Sequence, residues 1–82
     1  NYAVSALLKR AEANAGLKKR EQALEDFYTA IKLKPSYTKS YIKLSDYFKL
    51  LGNIEEAKRV IRDGLKVSPK SKALKRREKR LN

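Results

Sequence analysis

The sequence predicts an all-α fold, a solenoid of antiparallel helix pairs totalling about five helices. Three observations predict it. The chain resembles itself at an interval of 34 residues, its apolar residues recur at three and four within each half-interval, and Gly16, Pro35, Gly52 and Pro69 fall between those runs. Shifted by 34, Pro35 lands on Pro69, Ala23 on Ala57, Phe27 on Ile61, Ala30 on Gly64 and Leu33 on Val67. In the preceding half, Leu7 lands on Tyr41, Leu8 on Ile42, Ala11 on Ser45 and Leu17 on Leu51. Size class is kept while identity is not, which marks a packing constraint.

Each element has its own local reason. The first helix runs from about Ala3 to Ala15 and is broken by Gly16. The second runs from about Arg20 to Lys34, after a turn, GLKKREQ, that lacks a good N-cap. From Thr38 to Leu51 the positions Tyr41, Ile42, Leu44, Ser45 and Phe48 form one face of a third helix. Gly52 suits its C-terminal cap and Asn53 the next N-cap, with Glu56 placed to complete a capping box. The fourth helix, Ile54 to about Val67, buries Ala57, Ile61 and Leu65, and Pro69 closes the unit because proline cannot continue a helix. A last, strongly basic helix occupies about Ser71 to Leu81.

The interval divides a single domain, residues 1–82, into a first unit at 4–37, a second at 38–71 and a capping helix at 72–82. A chain that lacks methionine and opens in helical pattern with NYAVSALL is expected to be an excerpt of a longer protein. Two repeats are fewer than the three or so that an independent array needs, so self-association or flanking support is expected.

The chain carries 21 Lys and Arg against 9 Asp and Glu, a formal charge of +12, and such a field favours acidic partners. Cysteine and histidine are absent, which removes disulfides, zinc clusters and Cys–His or Ser–His chemistry. Glu25–Asp26 and Glu55–Glu56 are neighbours near helix starts or on helix faces, where carboxylates complement the helix dipole, and are not opposed across a cleft as catalytic acids are. The glycines form no phosphate loop. No enzyme, cofactor, metal or catalytic residue is expected. No apolar run reaches bilayer-spanning length, and a cytoplasmic location, with a nuclear one as the alternative, is expected.

The residues that keep their size class are those by which the chain resembles the tetratricopeptide repeat (TPR) family: Leu7 or Tyr41, Ala11 or Ser45, Ala23 or Ala57, Phe27 or Ile61, Ala30 or Gly64, and Pro35 or Pro69. The resemblance covers residues 4 to 71, and departs in the first repeat at Arg10 and Asn14, where the family keeps apolar residues. It implies a right-handed superhelix in which the first helix of each pair lines a concave groove used for binding. By that register Ser5, Leu8, Lys9, Glu12 and Ala15 face the groove from the first repeat. Lys39, Ile42, Lys43, Asp46 and Lys49 face it from the second. Tyr41 belongs to the buried seam and Tyr37 to the corner between repeats.

The stretch ALEDFYTAIKLKPSYTKSYIK is similar to the last two repeats of co-chaperone TPR domains, which grip acidic C-terminal tails of heat-shock chaperones with a two-carboxylate clamp. That resemblance implies that Lys39 and Lys43 are the clamp's basic pair and that Lys9 stands in place of an asparagine that binds the terminal carboxylate. The clamp's remaining lysine and asparagine come from an earlier repeat. Lys39 and Lys43, one helical turn apart, can reach one anion, while Leu8 and Ile42 offer a pocket for an aliphatic side chain and Lys49 extends the basic lining. Glu12 and Asp46 are expected to repel acidic residues nearby.

Residues 70 to 82, KSKALKRREKRLN, hold seven basic residues and one acidic residue. The main reading is a solvating cap with Ala73, Leu74 and Leu81 on its inner edge. Arg76, Arg77 and Arg80 form a possible basic patch, either for nucleic acid or as a continuation of the groove lining. Capture of an acidic peptide or protein tail, a chaperone C-terminus foremost, is therefore the first functional expectation. RNA or ribonucleoprotein association is the second, and a purely structural scaffold holding a partner's helix the third.

Overall fold

In the computed structural model, which describes residues 2–81, five helices follow one another. They are α1 (Tyr2–Gly16), α2 (Arg20–Leu33), α3 (Thr38–Leu50), α4 (Ile54–Val67) and α5 (Lys72–Leu81), with no strand among the described residues. α1 packs on α2 and α3 on α4, α2 meets α3 to join the two pairs, and α5 lies against α4. The Cα atoms span 29 × 28 × 15 Å, so the stacked hairpins make a shallow slab.

The spacing of small and large residues makes one continuous core. Val4, Leu8 and Ala11 of α1 meet Ala23, Phe27 and Ala30 of α2. Tyr41, Leu44, Tyr47 and Phe48 of α3 meet Ala57, Val60 and Ile61 of α4, and Leu74 of α5 closes the far end. The rings of Phe27 and Tyr47, 5.7 Å apart between centroids and tilted by 35°, bridge the repeats. The Tyr41 hydroxyl donates to the Pro35 carbonyl at 2.6 Å, pinning α3 to the turn that precedes it, and burial raises its pKa. The side-chain oxygens of Thr38 and Ser68 share a hydrogen bond of 2.5 Å between the two proline turns. Leu65 is half-buried and not part of the central core.

Two details at the turns differ from expectation. Gly16 does not break α1 but ends it as a helical residue, and the left-handed conformation falls on Lys18, φ 63°. The Lys18 amide donates to Ala15 O at 3.1 Å and the Lys19 amide to Asn14 O at 2.8 Å, a complete Schellman motif. Gly52, φ 79°, holds the same place after α3, where the Gly52 amide reaches Lys49 O and the Asn53 amide reaches Phe48 O. The second correction concerns Asn53 and Glu56, which form no capping box. Asn53 makes no side-chain cap bond, and its backbone amide is already given to Phe48 O, leaving nothing for Glu56 to accept. Glu56 instead receives Arg59 Nε at 2.7 Å.

The departures at Arg10 and Asn14 have a shared cause. Asp26, only 4% exposed, accepts Arg10 Nε and Nη2 at 2.9 and 2.8 Å and Asn14 Nδ2 at 3.1 Å. In the second repeat the corresponding residues are Leu44, Phe48 and Val60, so one polar cluster replaces one apolar cluster. The hydrogen bonds from Arg10 hold the Asp26 carboxyl below the usual carboxylate range, against the opposing push of burial.

Two predictions follow from these local arrangements. Lys18→Gly should stabilise the chain by about 1 kcal/mol in urea denaturation, because a residue with a Cβ is penalised in the left-handed region. Asp26→Asn should cost about 2 kcal/mol at neutral pH by removing charged hydrogen bonds. Because the folded pKa of Asp26 is depressed, its stabilisation is present above the unfolded carboxylate value and lost as pH falls through the folded one. The difference between parent and variant should therefore shrink in acid.

Candidate functional site

The first helices α1 and α3 lie side by side, and α5 takes the place of the next first helix. Two ion pairs cross between them. Lys43 Nζ donates to Glu12 Oε1, and Arg77 Nε and Nη2 donate to Asp46 Oδ1 and Oδ2 at 2.8 and 3.1 Å. Both pairs span 31 residues, and the 34-residue shift carries one onto the other, Glu12 to Asp46 and Lys43 to Arg77. The groove is thus crossed by rungs, each an acid on one first helix and a base on the next. Its hydrogen bonds to Asp46 raise the Arg77 pKa further above its already high ordinary value.

Beside the first rung lies a hollow of about 170 Å³ between α1 and α3. Ser5, Leu8 and Lys9 line it from α1, Lys39 and Tyr37 from the start of α3, and the Glu12–Lys43 pair forms its edge. Leu8 is only 3% exposed and serves as an apolar floor. Lys9 and Lys39 are exposed and make no ion pair among the described residues. The Lys34 ammonium sits 5.4 Å from the centroid of the Tyr37 ring. A second hollow, beside the other rung, lies where α3, α4 and α5 meet and includes Lys49, Arg77 and Arg80.

Several sequence-based placements change in detail. Lys43 is not a free cation but is held by Glu12, so it and Lys39 differ in availability. Glu12 and Asp46, expected to repel an acidic ligand, are each neutralised by a base of the next first helix. Tyr37, expected only at the corner, forms part of the hollow's wall, whereas Ile42 is half-buried and lines neither hollow. The three arginines of the basic end differ in placement. Arg77 and Arg80 face the second hollow, and Arg76 is exposed and lines neither. Sequence reading missed the rungs, and the signal for them was present: in both places an acid and a base stand 31 residues apart at matching positions of the repeat.

Among the described residues no group of three or more His, Cys, Asp or Glu could hold a metal ion, and no helix is long and apolar enough to cross a membrane.

Comparison with known proteins gives matches to the tetratricopeptide repeat at residues 4–37 and again at 38–71. The chain is 37% identical over 65 residues to "Protein STIP1 homolog" of Dictyostelium discoideum, across 79% of this chain and 12% of that protein. It is 39% identical over 59 residues to "ER protein translocation subcomplex subunit sec67" of Schizosaccharomyces pombe, across 72% of this chain and 31% of that protein. The chain therefore spans less than a third of the length of either relative.

Proposed function

Given that the chain belongs to the tetratricopeptide repeat family, a family of protein–protein interaction modules, we propose that it binds an acidic peptide by its free C-terminus in the hollow between α1 and α3. A heat-shock chaperone tail is the foremost ligand, and the protein acts as a co-chaperone or adaptor. The observation that carries this reading is the convergence of Lys9, from α1, with Lys39 and Lys43, from α3, on one hollow with an apolar floor. Two cations are unpaired and available to carboxylate oxygens, while Lys43 is fixed at the edge by Glu12. The likeness of the sequence to co-chaperone TPR domains supports the same assignment.

The strength of such a site can be bounded. A hydrogen bond to a charged group contributes about 1.5–3 kcal/mol where water is partly excluded, and about 0.2–1 kcal/mol as an exposed ion pair. Two or three bonds of the first kind total about 3–9 kcal/mol, and less the cost of ordering a flexible peptide they leave affinity weaker than micromolar, on the order of tens of micromolar to millimolar. Glu12 competes with the ligand for Lys43, so the native rung limits that affinity.

The test is titration of a labelled acidic peptide against its C-terminally amidated twin. Amidation should weaken binding about tenfold or more, since it removes the charge that Lys9 and Lys39 receive; equal affinity for the two peptides would sink the reading. Lys39→Ala should weaken the free-acid peptide by about five- to tenfold. Glu12→Gln should act in the opposite direction and tighten it severalfold, because Lys43 is released to the ligand.

A further inference from the structure

Three departures from the repeat meet in the second hollow. Arg80 stands where the earlier first helices carry Glu12 and Asp46, Lys49 stands where α1 carries Ala15, and Leu81 stands where α3 carries Tyr47. The first inverts a charge, the second adds one, and the third replaces a ring with a smaller side chain and so leaves space. The resulting hollow measures about 60 Å³, and the buried Ile61, 1% exposed, forms its floor together with Leu81. Its wall is the Asp46–Arg77 rung, which is internally neutralised. Lys49 and Arg80, both exposed, make no ion pair among the described residues.

That combination specifies a ligand group. One water needs at least about 10–15 Å³ of such space, so the hollow has room for a few water molecules and suits a small group. An apolar floor under two unpaired cations suits a carboxylate on a short aliphatic stem. The geometry points to a second recognition site in which the hollow at the α3–α4–α5 junction takes one internal glutamate side chain of the partner. Its stem lies on Ile61 and Leu81, and its carboxylate lies between Lys49 and Arg80. The planar guanidinium of Arg80 offers paired donors to that carboxylate. Aspartate, one methylene shorter, is the poorer fit.

The inference deepens the proposed function, because it rests on an extended acidic chain lying in the groove. The two hollows are one first-helix step apart, about 10 Å, and displaced by about one turn, 5.4 Å, which makes roughly 11 Å between centres. An extended chain advances about 3.3 Å per residue. The glutamate therefore falls about three to four residues before the C-terminal residue seated between α1 and α3.

The experiment walks a single glutamate through an otherwise neutral peptide with a free C-terminus and measures affinity for the parent chain, Arg80→Gln, Lys49→Gln and Lys39→Ala. Glutamate at one position, three or four residues before the end, should tighten binding about five- to tenfold, and aspartate there should do less. Arg80→Gln or Lys49→Gln should abolish that gain, whereas Lys39→Ala should weaken every peptide alike. A gain that is the same at all positions, or that survives both substitutions, overturns the second site while leaving the terminal-carboxylate reading intact. Titration with N-acetylglutamate N-methylamide, which lacks a terminal carboxylate, separates the two further. Its NMR shifts should concentrate on Lys49, Arg80 and Leu81 and vanish in Arg80→Gln, and shifts spread over all lysines, or none, refute the site even if no peptide binds.

Discussion

The architecture depends on how closely α4 approaches its two neighbours at Gly64. A Cβ at that position would lie 2.9 Å from the Tyr41 Cβ of α3 and 2.9 Å from the Leu74 Cδ1 of α5, closer than carbon atoms tolerate. The Tyr41 Cβ cannot move without its backbone, so the absence of a side chain at Gly64 lets α4 lie this close to α3, whereas the Leu74 methyl group can rotate. On the groove side, Arg77 of α5 reaches Asp46 of α3 with two of its donors. The matching place in the first repeat is Ala30, fully buried, so both hairpins carry a small residue at this point.

The same geometry explains which parts of the molecule were readable from the sequence. Helix identity and order followed from periodicity, because burying Val4, Leu8 and Ala11 against Ala23, Phe27 and Ala30 requires the three-and-four spacing that the sequence displays. Turn chemistry was less legible. Gly16 drew attention as the obvious helix breaker, but the left-handed position is set by where the α1 hydrogen-bond ladder closes, and that is Lys18. The repeat itself held the answer, since Lys18 falls on Gly52 under the shift. The capping box at Asn53 failed for a reason beyond local sequence: the Schellman motif of α3 had already taken the amide that the box needs.

Polar residues out of register were the least legible. Arg10 and Asn14 looked like weak spots of the first repeat, yet with Asp26 they form one hydrogen-bonded cluster that exchanges, position for position, with Leu44, Phe48 and Val60. A buried carboxylate is tolerable only when its oxygens are satisfied, and here three donors meet them. The groove acids were misjudged similarly. Read one helix at a time, Glu12 and Asp46 are obstacles to an acidic ligand; read across helices, each neutralises a base and fixes its direction.

Charge placement then connects folding to binding. With 21 basic residues and 9 acidic ones, most cations cannot be paired, and the excess opposes a compact state. Three acids are placed where separate helices meet: Asp26 between α1 and α2, Glu12 between α1 and α3, and Asp46 between α3 and α5. Each converts a repulsive approach into an attractive one at a junction that the fold requires. The pairing also decides which groove cations remain for a ligand, leaving Lys9 and Lys39 beside one rung and Lys49 and Arg80 beside the other. Since every rung uses one acid and one base, it adds no net charge to the groove, and the groove's positive field comes from the residues between rungs. The arrangement that lets a strongly basic chain stack its hairpins is therefore also what divides its groove into separate cationic hollows.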